Sequence, residues 1–192
     1  MRLKTVLSTA LALGRAPHEA LAQAALGFSE DERFATAVIV ILDTVTGQLR
    51  WANAGHLAPR IVPLHARSFD PDDLEMLRPT GPLLSGLTDG WTTKTGRLEV
   101  GQMLLAFSDG LTEARDEAGR EFGIGGVCSA LSQTTVLEVD TAVSVCLAAV
   151  RAHSANVHRD DITLLAVTRD PSTVTGASIQ PQQSPQHSSF DQ

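Results

Sequence analysis

One apolar run constrains this chain more than any other feature. Met103-Leu104-Leu105-Ala106-Phe107 has the length and composition of a buried strand, and it stops abruptly at Ser108-Asp109-Gly110. Gly110 is expected to supply a sharp turn, leaving Asp109 at a strand end where a carboxylate can face a cleft. A second stretch has the same grammar in reverse. His158-Arg159-Asp160-Asp161 leads directly into Ile162-Thr163-Leu164-Leu165-Ala166-Val167. If the two strands pair antiparallel, the end of the first meets the start of the second, and Asp109 and Asp160 converge. Facing carboxylates repel unless a cation lies between them, and hard oxygen donors suit Mg²⁺ or Mn²⁺. The same residues also read as ordinary turn chemistry, with Asp109 in a turn and Asp160-Asp161 in a solvated loop. Residue type alone leaves both readings standing.

Composition narrows the classes. A chain of 192 residues suits one domain with a real core. Its net charge is −7, from 15 basic and 22 acidic residues, with no basic cluster. That argues against nucleic acid or an anionic membrane surface as a partner. No apolar run approaches the length that spans a bilayer. The first 26 residues carry Arg2, Lys4 and many alanines, but their apolar positions are periodic, which argues against a secretory leader. Cys128 and Cys146 lie in expected helices and do not resemble a metal pair. They read as small buried hydrophobes in a reducing compartment, so a cytoplasmic location is expected.

The periodicities set the order of elements. Leu3, Val6, Leu7, Ala10 and Leu11 keep helical spacing over 2–13, and Pro17 suits the first turn of a second helix reaching Leu26. Phe34 to Leu42 reads as a strand buried on both faces. Asp43 to Gly47 is turn chemistry, and Gln48 to Asn53 is the return strand of a hairpin. Leu57 to Leu64 is expected to be an edge or frayed strand because of Pro59 and Pro63. Residues 65–80 read as a surface loop, and Trp91 to Leu98 as a strand. Ile124 to Ser132 and 139–154 are expected helices, and 162–168 is the last strand. From Asp170 onward Gln, Ser and Pro dominate, so 170–192 is expected to be a disordered tail behind a domain of residues 1–169. Hairpins flanked by helices make the fold class α+β with antiparallel sheets.

Five segments, in order, resemble one family. Phe34-Ala35-Thr36-Ala37 with Asp43 and Gly47 is similar to its first hairpin, and Asn53-Ala54-Gly55-His56 to its Asn-Ala-Gly-His turn. Gly101 through Glu113, Phe122-Gly123, and Asp160-Asp161-Ile162-Thr163-Leu164-Leu165 match three further motifs. Together they resemble the metal-dependent PPM-type protein phosphatases (the protein phosphatase 2C superfamily), in their SpoIIE-like bacterial branch. The resemblance implies an αββα sandwich with a binuclear Mn²⁺ or Mg²⁺ centre at one end. It makes Asp109 and Asp160 metal ligands, with Asp161 and Gly110 supporting them from behind. It implies metal-assisted hydrolysis of phosphoserine or phosphothreonine on a regulatory protein of a sigma-factor control system, with no covalent intermediate. His56 is expected to organise the hairpin end rather than to act as a general acid, and His158 carries no stronger signal.

The chain also departs from the family pattern. The family's Gly-Gly-Asp-x-Tyr/Phe-Asp strand and the Asp-x-x-Gly-His-Gly turn after it have no counterpart, so the bridging aspartate is missing. Gln102 stands where the family usually has Asp. The chain is therefore expected to be an N-terminally incomplete phosphatase domain with impaired metal binding and weak or no activity. Alternatively, it is a catalytically dead fragment that binds a partner, or its start is misassigned. Self-association through an exposed sheet edge is a further expectation.

Overall fold

The computed structural model describes residues 3–28, 34–134, 137–154 and 161–169. Two helices come first, α1 (Leu3–Ala12) and α2 (Pro17–Ala25). Pro17 opens α2, and the Glu19 carboxylate accepts the Ala16 N–H at 2.8 Å, satisfying a donor at that terminus. The strands follow: β1 (Phe34–Ala35), β2 (Ala37–Leu42), β3 (Gln48–Ala54), β4 (Arg60–Pro63), β5 (Glu75–Met76), β6 (Leu84–Ser85), β7 (Lys94–Arg97) and β8 (Gln102–Phe107). Then come α3 (Asp109–Thr112), α4 (Gly123–Ser132), α5 (Val139–His153) and β9 (Leu164–Thr168).

Strand alternation sorts these elements into four layers. One sheet has the order β2-β3-β7, another β5-β4-β8-β9, and all their pairings are antiparallel. Ala37, Ile39 and Ile41 on β2 and Ala52 and Ala54 on β3 pack against α1 and α2. The alternate residues Val40, Leu42, Leu49 and Trp51 meet Ile61, Leu104 and Val167 of the other sheet. Met103, Leu105 and Phe107 face α4 and α5, with Val127, Leu131, Cys146 and Val150 behind them. The expected αββα sandwich is what the chain forms.

Several expected elements changed, each for a local reason. The run from Phe34 to Leu42 breaks at Thr36, and β1 pairs with β6 in a separate ribbon. β2 does pack on both faces, yet only Ile39 is fully buried, because β2 is the last strand of its sheet. β4 is not an edge: it lies between β5 and β8. Its prolines are tolerated because Pro63 ends the strand and Pro59 supplies a carbonyl to the Leu77 N–H at 2.9 Å. Residues 65–80 are not merely a surface loop, since Leu74 and Leu77 are buried anchors. The strand expected over 91–98 is shorter, because Trp91 turns into the core and donates its indole N–H to the Pro82 carbonyl at 2.8 Å. Both cysteines are free and buried, and burial pushes the Cys146 thiol up to about 12. The expected tail over 170–192 lies outside the described residues. Among the described residues no helix is long and apolar enough to cross a membrane.

One buried cation fastens the end of the sandwich away from Ser108. Arg169, just past β9, donates to the carbonyls of Thr44 (3.3 Å), Val45 (2.7 Å) and Leu98 (3.1 Å). Those carbonyls belong to the β2–β3 turn and to the segment between β7 and β8, so one side chain ties the two sheets together. Gly47, at φ +80°, leaves the space: a Cβ there would sit 2.3 Å from Arg169 Nη1. Arg169→Ala strands these carbonyls and should cost about 2–4 kcal/mol. A lowered urea midpoint with an unchanged slope checks it, and an unmoved midpoint contradicts it.

Candidate active site at the end of the sandwich

The β8–β9 ladder builds the site. Its register runs from Met103↔Thr168 to Phe107↔Leu164, so the end of β8 lies beside the start of β9. Ser108 extends the match past the last pair. Its N–H donates to the Thr163 carbonyl at 3.0 Å, and its Oγ donates to the Asp161 carbonyl at 3.2 Å. The same Oγ accepts the Thr163 N–H at 2.9 Å. One hydroxyl thus bridges Asp161 and Thr163, just ahead of β9, a role that the sequence motif contained without revealing.

Asp109 follows Ser108 and is exposed. The chain leaves β8 through a single helical turn rather than a glycine turn. Gly110 sits inside α3, buried, and its N–H donates to Asp109 Oδ1 at 3.0 Å. The Glu113 N–H closes the turn on the Asp109 carbonyl at 2.8 Å. Gly110 is not among the glycines with positive φ, and what it contributes to the turn is a backbone N–H to the Asp109 carboxylate. Asp161 is exposed on the neighbouring loop. Asp160 and His158 lie outside the described residues.

His56 reaches the same end from the other sheet. Asn53, with no exposed surface, is the penultimate residue of β3 and holds the turn. Its Oδ1 accepts the His56 N–H at 2.8 Å, and its Nδ2 donates to the carbonyls of His56 (3.0 Å) and Leu77 (3.2 Å). Gly55 lies at φ +71°, a left-handed conformation that favours glycine. His56 Nδ1 lies 3.3 Å from Thr36 Oγ1, where the first strand breaks. Burial holds the imidazole pKa below its ordinary value, and the Asp109 carboxylate is near enough to pull it partly back. The Asn53 bonds at this hairpin end go to the His56 backbone, and the imidazole itself meets only Thr36 among the contacts described. Asn53 thus holds the hairpin end, and sequence reasoning had quoted it only as part of a motif.

The donors at this end are oxygen-rich, as a hard divalent cation requires. Among the described residues, however, no three His, Cys, Asp or Glu side chains converge as a metal site. Asp109 and the Asp161 loop are juxtaposed, and a full ligand set is not assembled from the described residues.

The family model for stage II sporulation protein E (SpoIIE) matches residues 1–170. The chain belongs to the SpoIIE family. The Synechocystis sp. protein IcfG is 25% identical over 138 residues, covering 71% of this chain and 21% of that protein. The chain thus spans about a fifth of that relative. The SiaA-PP2C domain of Pseudomonas aeruginosa superposes with a TM-score of 0.72 at 18% identity, covering 88% of this chain and 68% of that one. The RsbU and RsbW domains of Rv1364c from Mycobacterium tuberculosis give 0.65 at 22% identity, covering 86% and 45%. The SpoIIE phosphatase domain of Bacillus subtilis, from a structure presoaked with Mn, gives 0.58 at 15% identity, covering 88% and 74%. These solved structures establish the fold. The resemblance to PPM-type phosphatases of the SpoIIE branch is borne out.

A histidine whose pKa is depressed in the folded chain binds its proton more readily when unfolded. Stability should therefore be fullest above the ordinary value of 6.5 and should fall as pH drops through 6.5 toward the folded value. His56→Gln should remove part of that acid sensitivity. Urea midpoints of both proteins across this range check it, and parallel pH profiles contradict it.

Proposed function

We propose that this SpoIIE-family chain is a metal-dependent phosphoprotein phosphatase domain acting on phosphoserine or phosphothreonine of a regulatory protein, within a sigma-factor control system in the cytoplasm. The observation that supports the reading is the β8–β9 register, which brings Ser108, next to Asp109, within hydrogen-bond reach of the Asp161 carbonyl. In this reading Asp109 and Asp160 hold Mn²⁺ or Mg²⁺, two ions in the full family arrangement. When bound, such cations supply Lewis-acid activation of water and neutralise phosphoryl charge. The chain's own residues do the positioning. Gly110 N–H orients the Asp109 carboxylate, and Ser108 fixes the spacing between the two acidic loops. Asp161 supports from behind the ligand position. His56, held by Asn53, lines the rim from the opposite sheet.

A second reading keeps partner binding without turnover. It rests on the lack, within residues 1–192, of the family's Gly-Gly-Asp-x-Tyr/Phe-Asp motif. The expected result for residues 1–192 is accordingly weak, Mn²⁺-dependent hydrolysis of a chromogenic phosphate ester. Asp109→Asn should abolish that remainder and weaken Mn²⁺ binding, read by calorimetry. Ser108→Ala, which only loosens the loop, should lower Mn²⁺ affinity by about tenfold. Mn²⁺ binding that ignores both substitutions overturns the assignment of the site. Binding without turnover selects the second reading.

A further inference from the structure

The polar segment after α3 is stitched into a closed hairpin. Arg115 and Glu121 face each other as an antiparallel bridge and as an ion pair. Asp116 organises the tip. Its Oδ1 accepts the N–H groups of Ala118 (2.9 Å) and Arg120 (2.8 Å), and its Oδ2 accepts Arg120 Nε at 2.8 Å. Gly119, at φ +80°, lets the tip close, and its N–H donates to the Asp116 carbonyl at 2.9 Å. The Phe122 N–H closes the base on the Ala114 carbonyl at 2.8 Å. The hairpin is therefore a stiff extension of the helical turn that begins at Asp109.

His153, the last residue of α5, fastens this hairpin to the helix layer. Its Nε2 lies 2.9 Å from the Arg120 carbonyl oxygen. A carbonyl only accepts, so Nε2 carries a proton and donates. The same oxygen accepts the Asp116 N–H at 3.0 Å, so the imidazole grips the hairpin at its ladder and not at its tip. The His153 ring also meets the buried Phe122 ring edge to face, with centroids 5.4 Å apart. The end of α5 is itself firmly held. Ser154 is buried and donates its Oγ–H to the Val150 carbonyl at 2.9 Å, and Val150 and Cys146 belong to the core.

The two elements joined here are those that lead away from one acidic residue and toward the next. The hairpin continues from α3, whose first residue is Asp109, and His153 stands seven positions before Asp160 in the sequence. Ser108 ties β8 to the start of β9 on the strand side. We propose that His153 is a positioning residue for the candidate site: by holding the hairpin at Arg120, it keeps the Asp109 turn in place against α5. The inference deepens the reading of Asp109 as a metal ligand and rests on it for its functional consequence. The brace itself is readable without a metal. The Gly110 N–H bonded to Asp109 Oδ1 and the Glu113 N–H bonded to the Asp109 carbonyl report on the turn directly.

Amide exchange on residues 1–192 tests the proposal. His153→Phe keeps an aromatic ring and removes the donor. It should speed exchange at Asp116 and Phe122, and through the hairpin at Gly110 and Glu113, by about fivefold or more, the scale of one lost hydrogen bond. His153→Gln supplies a donor without the ring and should return these rates to within about twofold of the unsubstituted protein. Arg151→Ala removes a cation from the last turn of α5 but not this bond, and should leave them unchanged. Amides of β3 report global opening and should not move in any variant. In unsubstituted protein, imidazole nitrogen shifts should place a proton on Nε2 of His153, a readout that needs no variant to fold. Calorimetry with Mn²⁺ reads the consequence: His153→Phe should lower affinity by about tenfold, and His153→Gln should not. Faster exchange that stops short of Gly110 and Glu113, equal effects of Phe and Gln, a proton on Nδ1 alone, or Mn²⁺ affinity indifferent to His153→Phe would each overturn the proposal. If the unsubstituted chain takes up no Mn²⁺, the metal reading of Asp109 fails, and the Gly110 and Glu113 rates still decide the brace.

Discussion

The antiparallel ladder between β8 and β9 is what the rest of the molecule serves. Two strands far apart in the chain lie side by side, and each leads to or from an acidic residue at the same end. Backbone pairing fixes that adjacency, and Ser108 extends it by one residue with three hydrogen bonds across 55 and 53 positions of sequence. A register slip of one residue would turn Met103, Leu105 and Phe107 away from α4 and α5. The hydrophobic core therefore enforces the placement of Asp109 without touching it. Chemistry at the strand ends depends on burial in the strand middles.

The two ends of the sandwich are built differently. At one end Arg169 ties both sheets to three carbonyls, a closed and fully hydrogen-bonded arrangement. At the other, polar side chains hold backbone turns instead. Asn53 fixes the His56 turn from one sheet, and Ser108 fixes the Asp161 loop from the other. A buried amide and a loop hydroxyl consume their hydrogen bonds on scaffolding, which leaves Asp109 facing solvent. That division suits a site whose reacting partner comes from outside.

Much of the architecture was legible because periodicity is a local property. Helical spacing marked α1, α2 and α5 to within a residue or two, and the Val/Ile run marked β2. The failures share a cause. Trp91 looked like a strand residue, but its indole found a partner at Pro82 and pulled the chain inward. Pro59 and Pro63 suggested an edge, but neither falls where β4 needs an amide donor. Leu74 and Leu77 were hidden in a polar stretch, since two anchors with no period give no pattern to read. Gly110 was taken for a turn former, whereas it lies inside a helical turn and supplies a backbone N–H to Asp109.

By itself the sequence determined the α+β class, the family and the two strand ends on which acidic residues sit, because motif order and local period need no knowledge of neighbours. It also confined the cysteines to helical apolar faces. Only the tertiary structure decided which side chains meet across the sheets: Thr36 with His56, Ser108 with Asp161, and Arg169 with the turn at Thr44, 125 residues away. It alone set His153, at the end of α5, against the hairpin that continues from the Asp109 turn. Such contacts arise from how layers stack, and stacking is set by the sum of many burials rather than by any spacing along the chain.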